Sequence, residues 1–316
     1  MTGGNGFVGR KLVASLQALP EPKDIIVAAY GSEKISHDRA RVIEMDVTDA
    51  ERVKAVIAGE KPTHVFHLAA VSAISAAQHD VRKTWAVNFQ GTLNVALSVI
   101  EMVPDCRLLY CSSAFIYGDS FRAGKPLDES ALLEPSNPYG ASKAAADLMI
   151  GQMAKQGLHA IRLRPFNHTG AGQSGDFVVP SFAAQIVRIE RGEEDPIIYV
   201  GDLSARRDFL DVRDVIDAYM RAILRFDQLP RGCALNIASG HAISTREVLD
   251  FLLAQSSKKI EVRLDRQRMR GNDMPIIVGD ASLARRLLNW TPRIDLASTL
   301  TSVLDFLRGT KEQAHD

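Results

Sequence analysis

Short apolar runs alternate with longer amphipathic segments through the first half of the chain. The runs predict strands at 25–29, 42–45, 64–69, 108–112 and 160–163, and the segments between them predict helices at 10–19, 50–58, 84–102 and 139–155. The runs are apolar at successive positions rather than at alternate ones, as in strands buried on both faces of a parallel sheet. The pattern therefore predicts an α/β fold built on a doubly wound parallel sheet.

After residue 165 the strand and helix pattern becomes less regular. A loop is predicted over 167–175, helices over 179–191, from 212 and over 245–255, and strands at 197–200, 208–211, 235–238 and 260–264. No low-complexity linker and no internal repeat divides the chain. We predict a first domain at 1–165 and a smaller α+β region at 166–316 that partly rejoins the sheet, with a cleft between the two.

A glycine loop opens the chain. In the sequence Thr-Gly-Gly-Asn-Gly-Phe-Val-Gly, Gly3, Gly6 and Gly9 are three residues apart and lead into a predicted helix. Glycines let a backbone approach a pyrophosphate, whose charge is stabilised at a helix N-terminus. Such a loop normally follows a buried central strand, yet only Met1 precedes Thr2. We therefore expect the natural chain to begin several residues upstream, with a short apolar strand.

Composition and charge exclude several classes of partner. The chain has 316 residues with 38 Lys plus Arg and 38 Asp plus Glu. This balance argues against nucleic-acid or membrane-surface binding, and no apolar run reaches the ~18 residues of a membrane span. Three scattered cysteines fit neither a disulfide framework nor a metal cluster. We expect a cytoplasmic protein without a metal ion, because few cysteines fit a reducing compartment.

The residues after the predicted strand at 25–29 bear on the choice of dinucleotide. An acidic side chain at this point binds the ribose of NAD, but residues 28–32 read Ala-Ala-Tyr-Gly-Ser. Lys34 and Arg10 provide positive charge for a 2′-phosphate, which favours NADP(H) over NAD(H), although Lys34 as a solvated loop residue is an equal alternative. Asp46 and Val47, with Ala69 and Ala70, are expected beside the adenosine.

Tyr139 and Lys143 form the main candidate for chemistry. At i and i+4 they share one helical face, and a neighbouring ammonium is expected to lower the tyrosine pKa from ~10. Ser112 and Ser113 end a predicted strand, at the sheet edge where doubly wound folds bind ligands. The alternative, an exposed pair on an amphipathic helix, does not account for these serines. We expect Tyr139 to transfer a proton in a hydride-transfer reaction.

These motifs together resemble one family over nearly the whole chain. The glycine loop, His-Leu-Ala-Ala at 67–70, Asn-Phe-Gln-Gly-Thr at 88–92, Ser-Ala-Phe-Ile-Tyr-Gly at 113–118 and Pro-Tyr-Gly-Ala-Ser-Lys at 138–143 are similar to landmarks of extended short-chain dehydrogenases/reductases of the nucleotide-sugar epimerase/dehydratase group. The resemblance implies a Rossmann-like sheet and a catalytic set of Ser113, Tyr139 and Lys143, with Ser112 as the alternative hydroxyl. It implies a cofactor site made of Gly3, Gly6, Phe7, Val8, Arg10, Asp46, Val47, Leu68, Ala69, Ala70, Tyr139, Lys143 and Pro165.

Two regions narrow the expected reaction. Dehydratases of this group carry acids just after the catalytic hydroxyl, where this chain has Ala114 and Phe115, so a reductase or an epimerase is favoured. The stretches 164–173 and 201–212 resemble GDP-4-keto-6-deoxy-D-mannose reductases. A substrate site is implied at Ser72, Ser113, Asn167, Val178, Arg207, Arg270 and Asp273.

Individual roles follow for the polar members of this set. Asn167 is suited to donate to a phosphate oxygen, Arg207 to bind the diphosphate, and Asp273 to accept from the guanine base. The alternative for Arg207 is a surface pair, formed with Arg206, that bonds to Asp208 or Asp211. For His168 a hydrogen bond to the backbone is favoured over a role as catalytic base.

The resemblance implies NADP(H)-dependent reduction of the C4 keto group of a GDP-4-keto-6-deoxy-hexose to GDP-6-deoxy-D-mannose, also called GDP-D-rhamnose. The alternatives are a nucleotide-sugar 4-epimerase with retained NAD, a relative of GDP-mannose 4,6-dehydratase, and a non-enzymatic NADP-binding redox sensor. Relatives usually form a homodimer through two helices from each copy, so a homodimer is expected.

Overall fold

The computed structural model describes residues 1–20, 24–31, 40–268 and 274–310. In chain order its strands are β1 (Ile25–Ala29), β2 (Ala40–Glu44), β3 (His64–His67), β4 (Arg107–Cys111), β5 (Ala160–Pro165), β6 (Asn167–Thr169), β7 (Ile197–Val200), β8 (Arg206–Asp211), β9 (Ala234–Ile237), β10 (Ala242–Ser244), β11 (Glu261–Leu264) and β12 (Ile276–Ile277). Its α-helices are α1 (Phe7–Gln17), α2 (Ala50–Glu60), α3 (Ile74–His79), α4 (Val81–Trp85), α5 (Gly91–Met102), α6 (Pro138–Lys155), α7 (Val178–Arg191), α8 (Val212–Leu224), α9 (Thr245–Ala254), α10 (Ser282–Leu288) and α11 (Leu296–Gly309).

The main sheet is parallel, and the start of the chain lies at its centre. β1 pairs with β2, while β3, β4, β5 and β9 follow one another in that order. Thr2 bridges the two groups, because it pairs with Ala28 of β1 on one side and His67 of β3 on the other. The Thr2 amide donates to the Phe66 carbonyl at 2.9 Å, and the Gly3 amide donates to the Ala28 carbonyl at 3.1 Å. The predicted doubly wound parallel sheet is confirmed, and the expected upstream strand stays a prediction.

Three local predictions are corrected. The helix predicted over 84–102 is divided, because a π-helical turn at Ala86–Gln90 separates α4 from α5. β2 is not buried on both faces, since Val42 is 40% exposed, and it pairs only with β1 among the described strands. The loop predicted over 167–175 contains β6, which pairs with β8. Periodicity does not detect these features, since each depends on neighbours that are distant in sequence.

Residues beyond 165 form the smaller layer. β8 pairs with β6, β10 and β12, and β7 pairs with β11. A separate core of Val179, Phe182, Ile186, Ile198 and Leu249 joins α7 to α9 and to these strands. β9 extends the main sheet beyond β5, so this region also contributes to the first layer. None of the helices in the described ranges is long and apolar enough to cross a membrane.

A buried ion cluster attaches α6 to the main sheet. The Asp147 carboxylate accepts hydrogen bonds from Arg162 at 2.7 Å and from Arg164 at 2.7 and 3.1 Å, both on β5. Burial opposes ionisation, but the hydrogen bond and charge of Arg164 hold the pKa of Asp147 below its usual value. Arg164 also donates to the Tyr117 hydroxyl at 2.9 Å. The cluster fixes the position of α6 along β5.

Substitution of this buried carboxylate should destabilise the fold strongly. Asp147→Asn removes the anion and leaves two arginines without their counter-charge, so we expect the free energy of unfolding in urea to fall by about 3–5 kcal/mol. Asp217→Asn is the control: Asp217 pairs with Arg221 at 2.8 Å on the surface, and its loss should cost at most about 1 kcal/mol. Equal losses in both variants would contradict the assignment.

Candidate active site

A cavity of about 590 Å³ lies along the carboxyl edge of the main sheet. It extends from the ends of β1 and β2, past the glycine loop and the end of β3, to the ends of β4 and β5. Most of the residues predicted for the site line it: Gly3, Gly6, Phe7, Val8, Asp46, Val47, Leu68, Ala69, Ala70, Ser72, Ser113, Tyr139, Lys143, Pro165 and Asn167.

The glycine loop fits the close approach of a dinucleotide. Gly3 has φ +66°, and a Cβ there would lie 2.7 Å from the Ala69 nitrogen. A Cβ on Gly9 would lie 2.4 Å from the Gly3 carbonyl oxygen. Gly6 is the N-cap of α1 and supplies no side-chain cap, so backbone amides of the first turn are suited to bind an anion. The residues present therefore fit a dinucleotide pyrophosphate.

A neutral histidine connects this loop to the neighbouring elements by hydrogen bonds. His67 is buried, and its Nδ1 lies 2.7 Å from the Thr2 hydroxyl while its Nε2 lies 2.9 Å from the Thr92 hydroxyl. Burial, with a contribution from the charge of Lys143, lowers the pKa of His67 to about 3. The Thr2 hydroxyl also accepts from the Ala69 amide at 3.3 Å. The loop, the end of β3 and α5 are thus joined through an uncharged imidazole.

The predicted catalytic side chains come from two elements that contact each other closely. Tyr139 and Lys143 lie in the first two turns of α6, which Asn137 caps by accepting from the Gly140 amide at 2.9 Å. Ser113 follows β4, and its hydroxyl accepts from the Phe115 amide at 3.2 Å. The rings of Phe115 and Tyr139 meet edge to face at 5.9 Å. The structure therefore brings Ser113, Tyr139 and Lys143 to one end of the cavity.

The protonation of this group differs from our expectation. Burial raises the pKa of Tyr139 to about 12, although the hydrogen bond with Ser113 opposes that rise. Lys143 does not lower it: its Nζ donates to the Cys111 carbonyl and lies 4.8 Å from the centre of the Tyr110 ring. Burial also lowers the pKa of Lys143. Desolvation outweighs the expected ammonium effect, so the pKa of Tyr139 lies above its usual value rather than below it.

The remaining predicted residues divide into three groups. Arg10 is exposed on α1, and neither it nor Val178, the first residue of α7, lines the cavity. Arg207 is buried outside the cavity lining and donates to the Met274 carbonyl at 2.7 Å. Arg206 donates to the Ala242 carbonyl at 2.7 Å. Arg270 and Asp273, together with Lys34, lie outside the described residues.

Several lining residues were not predicted for the site, including Lys83, Val87, Phe115, His168, Gln173 and Phe177. Val87 belongs to the π-helical turn, whose Asn88 accepts from the Val71 amide at 2.8 Å and donates to the Ser142 hydroxyl at 3.0 Å. These two hydrogen bonds hold the wall at Val71 and Ser72 against α6. The motif at 88–92 was a sequence signal for Asn88. The other unpredicted lining residues come from separate parts of the chain, and such residues carry no periodic pattern.

The glycine loop, the parallel sheet and the Tyr139–Lys143 pair on one helix define the class of extended short-chain dehydrogenases/reductases. In agreement, the family described as "NAD dependent epimerase/dehydratase family" matches residues 1–238. The chain belongs to this family. It is therefore of the NAD(P)-dependent class of nucleotide-sugar oxidoreductases and epimerases.

Two curated proteins and one solved structure illustrate the similarity. GDP-6-deoxy-D-mannose reductase of Pseudomonas aeruginosa is 30% identical over 305 residues, 96% of this chain and 95% of that protein. UDP-glucose 4-epimerase of Streptomyces lividans is 30% identical over 313 residues, 94% of this chain and 92% of that protein. The structure of RMD from Pseudomonas aeruginosa complexed with NADPH is 30% identical, covers 97% of both chains and has a TM-score of 0.83.

Gly3→Ala should weaken dinucleotide binding. The new methyl group would meet the Ala69 backbone at a positive φ, so we expect the affinity for NADPH and NADH to fall at least about tenfold. Fluorescence titration measures the affinity, and thermal unfolding checks the fold. Gly59→Ala on α2 is the matched control, because no atom lies within 4 Å of the place that its new methyl group would take. Unchanged affinity in Gly3→Ala would contradict the assignment.

Proposed function

We propose that the protein reduces the C4 keto group of a GDP-4-keto-6-deoxy-hexose with NADP(H), forming GDP-6-deoxy-D-mannose. The observation that carries this proposal is the placement of the polar groups in the cavity. Tyr139 and Ser113 lie at one end of it, where burial raises the pKa of Tyr139 to about 12, and Asp46 is the only carboxylate among the described lining residues. Asp46 follows β2, four strand spacings from β4 or about 19 Å. Such a site suits proton donation to a carbonyl, and its described lining has no carboxylate near Tyr139 that could act as a base and remove a proton from carbon.

The proposed steps follow from the groups at the end of β4. Ser113 accepts from the Phe115 amide, which leaves its O–H to donate to the carbonyl oxygen of the sugar or to Tyr139. Tyr139 then gives its proton to that oxygen as the alcohol forms. When bound, the cofactor supplies the hydride for this reduction. Lys143 is placed to move from the Cys111 carbonyl to the ribose hydroxyls of the cofactor.

The binding residues are assigned in the same proposal. Residues 1–165 hold the cofactor and 166–316 mainly hold the substrate, with Ser72, Ser113 and Asn167 inside the cavity. Arg207 and Val178 are assigned to the nucleotide end, and Arg207 must leave the Met274 carbonyl to reach a diphosphate. Arg270 and Asp273 complete that end in the proposal.

A preference for NADP(H) over NAD(H) is supported by the end of β1. Ala29 and the exposed Tyr30 follow without an acidic side chain, and Arg10 is exposed on α1. The similar Pseudomonas aeruginosa structure is described with NADPH, which agrees with the preference.

A 4-epimerase is the second candidate, because a UDP-glucose 4-epimerase is also 30% identical to this chain. An epimerase returns its cofactor to the starting oxidation state and consumes none, whereas a reductase consumes one NADPH for each sugar. The dehydratase alternative has less support, since Ala114 and Phe115 cannot exchange protons. A redox sensor without turnover would not need Tyr139, Lys143 and Ser113 together.

We expect purified protein to consume NADPH with GDP-4-keto-6-deoxy-D-mannose and to form GDP-6-deoxy-D-mannose, with NADH used less efficiently. Tyr139→Phe keeps the ring and removes the proton, so kcat should fall about 10²–10⁴-fold with little change in NADPH affinity. Tyr199→Phe, on β7 outside the cavity lining, is the control. Product analysis identifies the sugar that is formed, and NADPH absorbance measures the rate of turnover for the unmodified protein and for both variants.

Two results would contradict the proposal. One is near-normal turnover by Tyr139→Phe. The other is interconversion of UDP-glucose and UDP-galactose without net NADPH oxidation, which would establish the epimerase.

We further propose a homodimer in which α5 and α6 of two copies form a four-helix bundle. Leu97 and Ile100 are exposed on α5, and Leu148 is 58% exposed on α6. Leu93 precedes Leu97 by one turn of α5 and is half-buried. An apolar face of this kind on adjacent helices is typical of a subunit interface.

Introducing charge on this face should produce monomers. We expect sedimentation to give a dimer for the unmodified protein and a monomer for Leu97→Glu combined with Leu148→Glu, because each copy then buries unpaired carboxylates. Leu132→Glu is the control, since Leu132 is also exposed but lies outside α5 and α6. A monomeric unmodified protein would refute the homodimer.

A further inference from the structure

His168 lines the cavity at the point where the chain passes from the main sheet into the smaller layer. β5 ends at Pro165, and β6 begins two residues later and pairs with β8, with His168 opposite Leu210. His168 therefore lies on a strand whose preceding and following residues, Asn167 and Thr169, also pair with β8. A side chain on such an element is positioned more precisely than one on a loop.

Its hydrogen bond determines which ring nitrogen carries the proton. Nδ1 lies 2.9 Å from the Phe166 carbonyl oxygen, and a carbonyl can only accept, so Nδ1 must be the donor. In a neutral imidazole the other nitrogen is then an unprotonated acceptor. Burial lowers the pKa of His168, which keeps the ring neutral at pH 7. Nε2 has no hydrogen-bond partner among the described residues.

The unpaired Nε2 is an acceptor in the cavity, because His168 lines it. Phosphate and carbonyl oxygens of a ligand cannot donate a hydrogen bond, whereas sugar hydroxyls can. An unpaired acceptor here therefore matches the hydroxyl-bearing part of a ligand rather than its diphosphate.

We propose that His168 is a specificity-determining residue that accepts a hydrogen bond from a hydroxyl of the hexose through Nε2. The inference rests on the proposed function, because it requires a sugar next to Tyr139. It assigns a contact with the sugar ring and no proton transfer to His168. The competing donor in the cavity is the carboxamide of a nicotinamide ring, and the experiment separates the two.

The test uses GDP-6-deoxy-D-mannose and its 2-deoxy and 3-deoxy analogues, oxidised with NADP⁺ by the unmodified protein and by His168→Phe. The unmodified protein should lose about 3- to 10-fold in kcat/KM on the analogue that lacks the bound hydroxyl, as expected for one neutral hydrogen bond. His168→Phe should show the same loss on the complete sugar and no further loss on that analogue. His168→Gln, which retains an acceptor, should recover part of the activity.

Binding measurements complete the test. Calorimetry should give unchanged affinities of His168→Phe for NADPH and for GDP, which lack the hexose. His241→Phe is the matched control, because His241 is exposed and does not line the cavity, and it should behave as the unmodified protein on every sugar.

Four outcomes are decisive against the inference. An equal loss by His168→Phe on all three sugars would indicate a purely structural role, and weaker NADPH binding would assign the contact to the cofactor. If the unmodified protein oxidises none of the GDP-sugars, the proposed function fails and the inference fails with it. If it oxidises them but His168→Phe discriminates as the unmodified protein does, the inference alone fails.

Discussion

The attachment of α6 to β5 through Asp147 is the constraint on which the site depends. A fully buried carboxylate is tolerated only because two arginines from one strand supply charge and hydrogen bonds. Tyr139, Lys143 and Asp147 are spaced four residues apart on α6 and share one face. Fixing Asp147 therefore fixes the axial position and rotation at which Tyr139 meets Ser113.

Desolvation sets the protonation of the cavity more strongly than any pair of charges does. Burial keeps His67 neutral with a pKa of about 3 and raises the pKa of Tyr139 to about 12. It also lowers the pKa of Lys143, which remains bound to the Cys111 carbonyl. The raised pKa of Tyr139 agrees with a proton donor rather than a charged base at the reaction centre.

The bounds of the strands were predicted well where packing against a single neighbouring layer determines them. β1 and β7 have the predicted bounds, and the other predicted strands differ from the observed ones by a few residues. The π-helical turn at Ala86–Gln90 was missed, because its distortion brings Asn88 to Val71 and Ser142, which are distant in sequence. The short strand β6 was missed for a related reason: three residues carry too little pattern, and their pairing with β8 decides their conformation.

The sequence by itself indicated the parallel sheet and the Tyr139–Lys143 pair, because glycine spacing, apolar runs and a Tyr-x-x-x-Lys helix are local patterns with direct physical meaning. The resemblance of its motifs indicated the family and Ser113. Tertiary structure decided which of those residues meet and in what protonation state. It brought Ser113 to Tyr139, left Arg10 and Val178 outside the cavity lining, and turned Arg207 toward the Met274 carbonyl. It also reversed the expected effect on Tyr139, because desolvation depends on every atom packed around a group and no short stretch of sequence records that packing.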